Sequence, residues 1–88
     1  MKWFVYCISS LIRNYVYVGL TKDLGDRVQR HNEGRERTTR PYRPFELIHC
    51  EEFKTRNEAR IREKYLKSGT GKEFLREVRK KGSVVTLE

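Results

Sequence analysis

Apolar residues cluster near the start of the chain in two short stretches, Phe4 to Ile8 and Tyr15 to Gly19, separated by the polar run Ser9-Ser10 to Arg13-Asn14 with Leu11-Ile12 inside it. Both stretches are dense in Val, Ile, Tyr and Phe, which predicts the two strands of a β-hairpin. Pairing Ile8 with Tyr15 sets Tyr6 opposite Tyr17. The two-residue period of a strand then puts both phenols on one face with Phe4, Ile8, Tyr15 and Gly19. The opposite face carries Val5, Cys7, Val16 and Val18, small apolar side chains suited to a covered core. A third strand is expected over Phe45 to Phe53, FELIHCEEF, although its alternation is imperfect.

Helical periodicity governs most of the remainder. Thr21 and Asp23 offer N-caps for a helix running to about Asn32, with Asp26 in its first turn and Gly34 beyond its end. At about 100° per residue, Leu24 and Val28 mark its inward stripe, and Arg27 and His31 fall on the same side. Thr55-Arg56-Asn57-Glu58 is a capping-box sequence opening a second helix through about Lys67. Ala59, Glu63 and Leu66 share one stripe of that helix, while Ile61 and Tyr65 form a second apolar flank. A carboxylate in an apolar stripe is costly unless partnered. Glu63 therefore calls for a basic side chain such as Arg27 or for a bound cation, and the residues alone favour the ion pair. Thr70 with Glu73 predicts the cap of a last helix to about Lys80, with Phe74, Leu75 and Val78 facing inward. Ser68-Gly69-Thr70-Gly71-Lys72 follows a helix and lacks the first glycine of a phosphate loop, which excludes that motif.

Glu33 to Pro44, EGRERTTRPYRP, has no apolar period and carries Arg35, Arg37, Arg40 and Arg43. It reads as a basic loop whose arginines, with Thr38, Thr39 and Tyr42, suit phosphates and a stacked base or simply solvent. The expected fold class is α+β, a small three-stranded antiparallel sheet flanked by helices, in one domain over residues 1–80 with a tail at 81–88.

Charge narrows the range of partners. Twenty Lys and Arg against twelve Asp and Glu leave +8 on 88 residues, which favours a polyanion such as nucleic acid. The aromatic content of 11% argues against disorder. No apolar run approaches a membrane span, and Met1-Lys2 leads straight into a strand, so a cytoplasmic protein without a membrane partner is expected. Cys7 and Cys50 are expected as buried thiols, and with His31 and His49 they lack the close ligand spacing of a zinc site.

The order Tyr6, Tyr17 and Gly19, then Arg27 and His31 one helical turn apart, then Glu63 on a later helix resembles the GIY-YIG nuclease superfamily. Val5-Tyr6-Cys7 and Tyr17-Val18-Gly19 stand where its two tripeptides would be. Leu24, Arg27, His31, Asn32 and Gly34 look like its L-x-x-R-x-x-x-H-N-x-G run, and Ala59, Glu63 and Leu66-Lys67 look like its A-x-x-x-E-x-x-L-K helix. The likeness spans residues 3 to about 75 and is nearest to small stand-alone bacterial members, similar to the catalytic module of the UvrC repair nuclease. Two departures stand out: Val5 replaces the initial glycine, and no equivalent of a late asparagine follows Glu63.

The resemblance implies a metal-dependent endonuclease hydrolysing phosphodiester bonds, with DNA in repair or processing as the first expectation. It assigns Glu63 to one Mg²⁺ or Mn²⁺ ion, Arg27 to the scissile phosphate, and Tyr6, ahead of Tyr17, to the attacking water. Nearby positive charge is expected to lower the acting tyrosine's pKa. His31 would relay the proton, Gly19 would permit close approach, and Arg35, Arg37, Arg40 and Arg43 would hold the nucleic-acid backbone. A monomer or weak dimer is expected, with any protein partner unidentified. The alternatives are a non-catalytic nucleic-acid-binding module of the same fold, and an interaction domain in which Tyr6, Tyr17 and Glu63 are structural.

Overall fold

The computed structural model describes residues 2–81 and contains three strands, β1 (Trp3–Ser10), β2 (Val16–Thr21) and β3 (Phe45–Phe53). They form an antiparallel sheet in the order β2-β1-β3. Three helices, α1 (Leu24–Asn32), α2 (Arg56–Lys67) and α3 (Gly69–Lys80), complete the α+β architecture, with a single 3-10 turn at Arg40–Tyr42. The rest of the expected tail, 82–88, lies outside the described residues.

The hairpin register differs from the expected one by two residues. Ile8 faces Tyr17 and Tyr6 faces Gly19, so the two phenols are offset along the sheet. The cause lies at Ser9 and Ser10, which belong to β1 and are buried. Ser10 Oγ accepts the N–H groups of Ile12 and Arg13 at 3.2 and 3.1 Å and donates to the Tyr42 carbonyl at 2.6 Å. A hydroxyl that satisfies the turn amides itself lets the strand run on to the turn. A shift of two leaves every side chain on its expected face, because the facing period is also two.

β3 explains its own imperfect alternation. Ile8 pairs with Leu47 but Cys7 pairs with His49, so Ile48 is an extra residue at a β-bulge. Phe45 and Leu47 pack on one face of the sheet, whereas Ile48 joins the core on the other. Cys50 returns to the first face opposite Tyr6. Cys7 and Cys50 therefore project from opposite faces, and both are free thiols.

The sheet is covered on both sides. Against α2 and α3 lie Val5, Cys7, Val18 and Ile48, packed with Ala59, Leu66 and Leu75. Against α1 lie Tyr6, Ile8, Phe45 and Leu47, packed with Val28 and flanked by Tyr15, Tyr17, Leu24 and Tyr42. Capping follows the sequence at two helices: Asp23 accepts from Asp26 N–H at α1 and Thr55 from Glu58 N–H at α2. At α3 the cap is Ser68, which accepts from Gly71 N–H, and not Thr70. α2 and α3 meet so closely at Gly71 that a Cβ there would strike the backbone of Tyr65 and Leu66. Leu75 is buried as expected, but Phe74 is exposed and meets the His49 ring edge-on with centroids 5.2 Å apart.

Candidate active site

α1 presents one side of its inward stripe to the tyrosine face of the sheet, and there His31 is 2% exposed. Its two ring nitrogens are both engaged. Nε2 lies 2.9 Å from the Tyr6 hydroxyl and Nδ1 lies 2.7 Å from Thr39 Oγ1. Thr39 is also fully buried and its Oγ1 reaches the Glu36 carbonyl at 3.5 Å. One proton arrangement gives every hydroxyl an acceptor: Thr39 donates to Glu36, His31 donates from Nδ1 to Thr39, and Tyr6 donates to Nε2. Burial lowers the His31 pKa; Glu36 opposes this, and the charges of Arg27 and Arg30 reinforce it. The imidazole is thus neutral at neutral pH and accepts a hydrogen bond from the phenol.

Tyr6 is completely buried, and its ring lies over Gly19. A Cβ at Gly19 would sit 2.5 Å from the hydroxyl, so the close approach expected at this glycine is filled by the tyrosine itself. The expected lowering of the Tyr6 pKa is not found. Burial raises it well above the ordinary tyrosine value and Tyr17 adds to the rise, while the charge and hydrogen bond of Arg27 offset only part. Arg27 is half-buried, and its Nε has no hydrogen-bond partner among the described residues.

Tyr17 is half-buried and stands between this buried cluster and α2. Its ring centroid is 6.3 Å from that of Tyr6 and 5.1 Å from that of His31. Lys67 Nζ lies 6.0 Å from the Tyr17 ring centroid and 3.3 Å from Glu63 Oε2. The ion pair expected for Glu63 is present, but its partner is Lys67, one turn along the same helix, and not Arg27. The Glu63 side chain is only 14% exposed, held on the stripe between buried Ala59 and Leu66. A continuous series therefore runs Thr39, His31, Tyr6, Tyr17, Lys67, Glu63.

Family comparison bears on this geometry directly. The family model described as the GIY-YIG catalytic domain matches residues 2–77. The chain belongs to the GIY-YIG family. It is similar to a UPF0213 protein of Bacillus velezensis, with 38% identity over 85% of this chain and 80% of that protein. A UPF0213 protein of Staphylococcus aureus is 34% identical over 89% of this chain and 95% of its own length. The solution NMR structure of a UPF0213 protein from Bacillus halodurans superposes with a TM-score of 0.54 at 30% identity, covering 89% of this chain and 85% of that one. The GIY-YIG fold is a nuclease fold, and these relatives are small stand-alone proteins of the same type.

Within the GIY-YIG domain the basic loop is partly tied down. Arg40 Nε donates to the Gly34 carbonyl and Arg43 donates to the Glu33 carbonyl, both at 2.9 Å, and Arg35 lies 3.6 Å from Glu33 Oε1. Arg37 is exposed and forms no ion pair among the described residues. Two of the four arginines thus shape the loop that carries Thr39. The sequence offers Thr39 only as one of several phosphate-binding candidates in the loop, beside Thr38: nothing in an aperiodic loop marks which hydroxyl will face a histidine.

Metal-binding capacity at the site is narrow. Among the described residues no group of three or more His, Cys, Asp or Glu side chains is placed to hold a metal ion. A lone carboxylate suits Mg²⁺, which keeps several waters and takes further oxygens from substrate phosphate. It does not suit the four-ligand set of structural zinc. No helix among the described residues is long and apolar enough to cross a membrane.

Proposed function

We propose that this chain is a divalent-metal-dependent endonuclease that hydrolyses phosphodiester bonds, with DNA as the first substrate to examine and repair or processing as its setting. The observation that carries the proposal is the continuous series from Thr39 through His31, Tyr6 and Tyr17 to Lys67 and Glu63. The buried imidazole, with both nitrogens committed, fixes Tyr6 in one position, and the Tyr6 ring packs in turn against Tyr17 beside Lys67 and Glu63.

Burial reverses the order of the two tyrosines. Tyr6 gives its proton to a hydrogen bond with His31 and cannot meet solvent, so it positions the site, whereas half-buried Tyr17 is the phenol that orients the attacking water. Arg27 is half-buried, and its planar guanidinium would brace a phosphoryl oxygen, a contact that charge-assisted donors make well. Glu63 would hold the Mg²⁺ or Mn²⁺ ion, which when bound polarises the phosphate and stabilises the leaving oxygen. Lys67 gives up its pairing with Glu63 at that point and turns to the incoming phosphate. Arg37, and the unpaired donors of Arg35, Arg40 and Arg43, hold the nucleic-acid backbone without reading sequence.

The test is nicking of supercoiled and branched DNA with Mg²⁺ or Mn²⁺ by wild type, Glu63→Ala and Tyr6→Phe, each shown to be folded. Loss of cleavage in both variants supports the reading. Equal cleavage by all three points to a contaminant, and metal-independent DNA binding without any cleavage replaces the nuclease by a binding module of the same fold.

A further inference from the structure

Beside Tyr17, but outside the buried cluster, a groove of about 460 Å³ separates the edge strand β2 from the C-terminal end of α2 and from α3. Its strand wall is formed by Tyr15, Val16, Tyr17 and Val18, with the Tyr15 ring stacked on Tyr42 at 3.9 Å between centroids, and its helix wall includes Lys72, Arg76 and Arg79. The spacing of four and then three residues sets these cations in one stripe along α3. The stripe spans about 10 Å at the helical rise per residue. No carboxylate lines the groove. Lys72 and Arg76 are exposed and form no ion pair among the described residues, while Arg79 closes one end by donating to Asn14 Oδ1 and to the Arg13 carbonyl. At the active-site end the groove includes Lys67, the cation between Tyr17 and Glu63.

We propose that this groove binds an unpaired nucleic-acid strand leading into the active site, with phosphates along Lys72 and Arg76 and bases against Val16 and Tyr17. The inference rests on the nuclease reading for the direction in which the strand runs. A basic wall facing an aromatic and apolar wall is the arrangement that holds single strands, whose bases are free to stack. A duplex turns its bases inward and offers the groove only phosphates, so it leaves the strand wall unused. An acidic peptide matches the charge but brings no flat ring for the tyrosine wall.

The experiment measures binding of oligothymidylate, of a duplex of equal length and of polyglutamate, without divalent metal, to the full chain and to the double variant Lys72→Ala/Arg76→Ala. Both positions are exposed, and circular dichroism checks that the variant is folded. The expected result is a loss of roughly tenfold or more for oligothymidylate, the scale of two charge-assisted contacts, with a clearly smaller loss for the duplex. The salt dependence for the single strand falls by about 1.4, or about 0.7 per phosphate contact removed. Equal weakening of both polymers, no weakening, failure of wild type to bind oligothymidylate, or tighter binding of polyglutamate than of oligothymidylate overturns the proposal. Nicking of supercoiled DNA with Mg²⁺ is read in parallel: wild-type nicking with no groove effect discards the groove alone, and a groove effect without wild-type nicking discards the nuclease alone.

Discussion

The two faces of the sheet are made from the same strands yet solve different problems. Towards α2 and α3 the buried side chains Val5, Cys7, Val18, Ile48, Ala59, Leu66 and Leu75 are apolar and pack with one another and with half-buried apolar neighbours such as Trp3 and Phe53. Towards α1 the buried set includes Tyr6, His31 and Thr39, each with a polar atom that must be matched. Apolar packing is non-directional, so the first face tolerates small shifts. A buried hydrogen-bond network is satisfied in one geometry only, so the second face fixes atoms relative to one another. The helix layer supplies stability, and the tyrosine layer spends some of it on position.

The sharpest way to break the contrast is to hollow out the first face. Leu66→Ala removes a fully buried side chain and is expected to cost about 2–5 kcal/mol in urea unfolding. A loss below about 1 kcal/mol would mean that the α2 layer does not carry the stability assigned to it. On the second face, Tyr6→Phe keeps the ring over Gly19 and deletes the hydroxyl, leaving His31 Nε2 buried without its donor. The expected cost is smaller, about 1–3 kcal/mol. A loss matching that of Leu66→Ala would erase the difference between the faces.

Acid titration sharpens the comparison further, because each face holds a perturbed group that changes charge on acidification. His31 has a lowered pKa in the folded chain, so the unfolded chain binds a proton that the folded one refuses. Its contribution is complete above the unfolded value near 6.5 and is lost as pH falls from there towards the lower folded value, at no more than about 1.4 kcal/mol per pH unit. On the helix side, Glu51 is pushed up by burial, but hydrogen bonds from His49 and Arg62 outweigh this and leave its pKa below the ordinary value. Its contribution is present above the unfolded carboxyl value and disappears at lower pH, as the folded carboxylate takes up its proton. Stability measured against pH is therefore expected to fall in two separated steps, and His31→Gln is expected to remove the upper one only. A single step below the carboxyl range would show that His31 is not held neutral by burial.

Much of this was legible in the sequence, and the misses have physical causes. The bounds of β3, the caps at Asp23 and Thr55, and the facing of Tyr6 and Tyr17 follow from local period and local polarity. The hairpin register does not, because Ser9 and Ser10 look like turn residues until Tyr42, from a distant loop, accepts the Ser10 hydroxyl. The partner of Glu63 was within reach: Lys67 stands four residues on, the ordinary spacing for a helical ion pair. Lys72, Arg76 and Arg79 likewise show their stripe in the numbering, yet only the fold reveals that the stripe faces a strand edge carrying tyrosines. Thr39 had no local signal, since its role is set by where α1 delivers His31.

The bulge at Ile48 makes β3 a strand with two reading frames. Before it, odd-numbered residues belong to the tyrosine layer; after it, even-numbered ones do. A chain that lost this single residue would regain unbroken alternation, with Phe45 and Leu47 still facing away from His49, Glu51 and Phe53; what would go is the extra side chain that Ile48 adds to the helix-side core. The bulge thus lets two neighbouring residues, Ile48 and His49, look the same way, adding apolar bulk on the helix side without turning Leu47 or Cys50 from the tyrosine side.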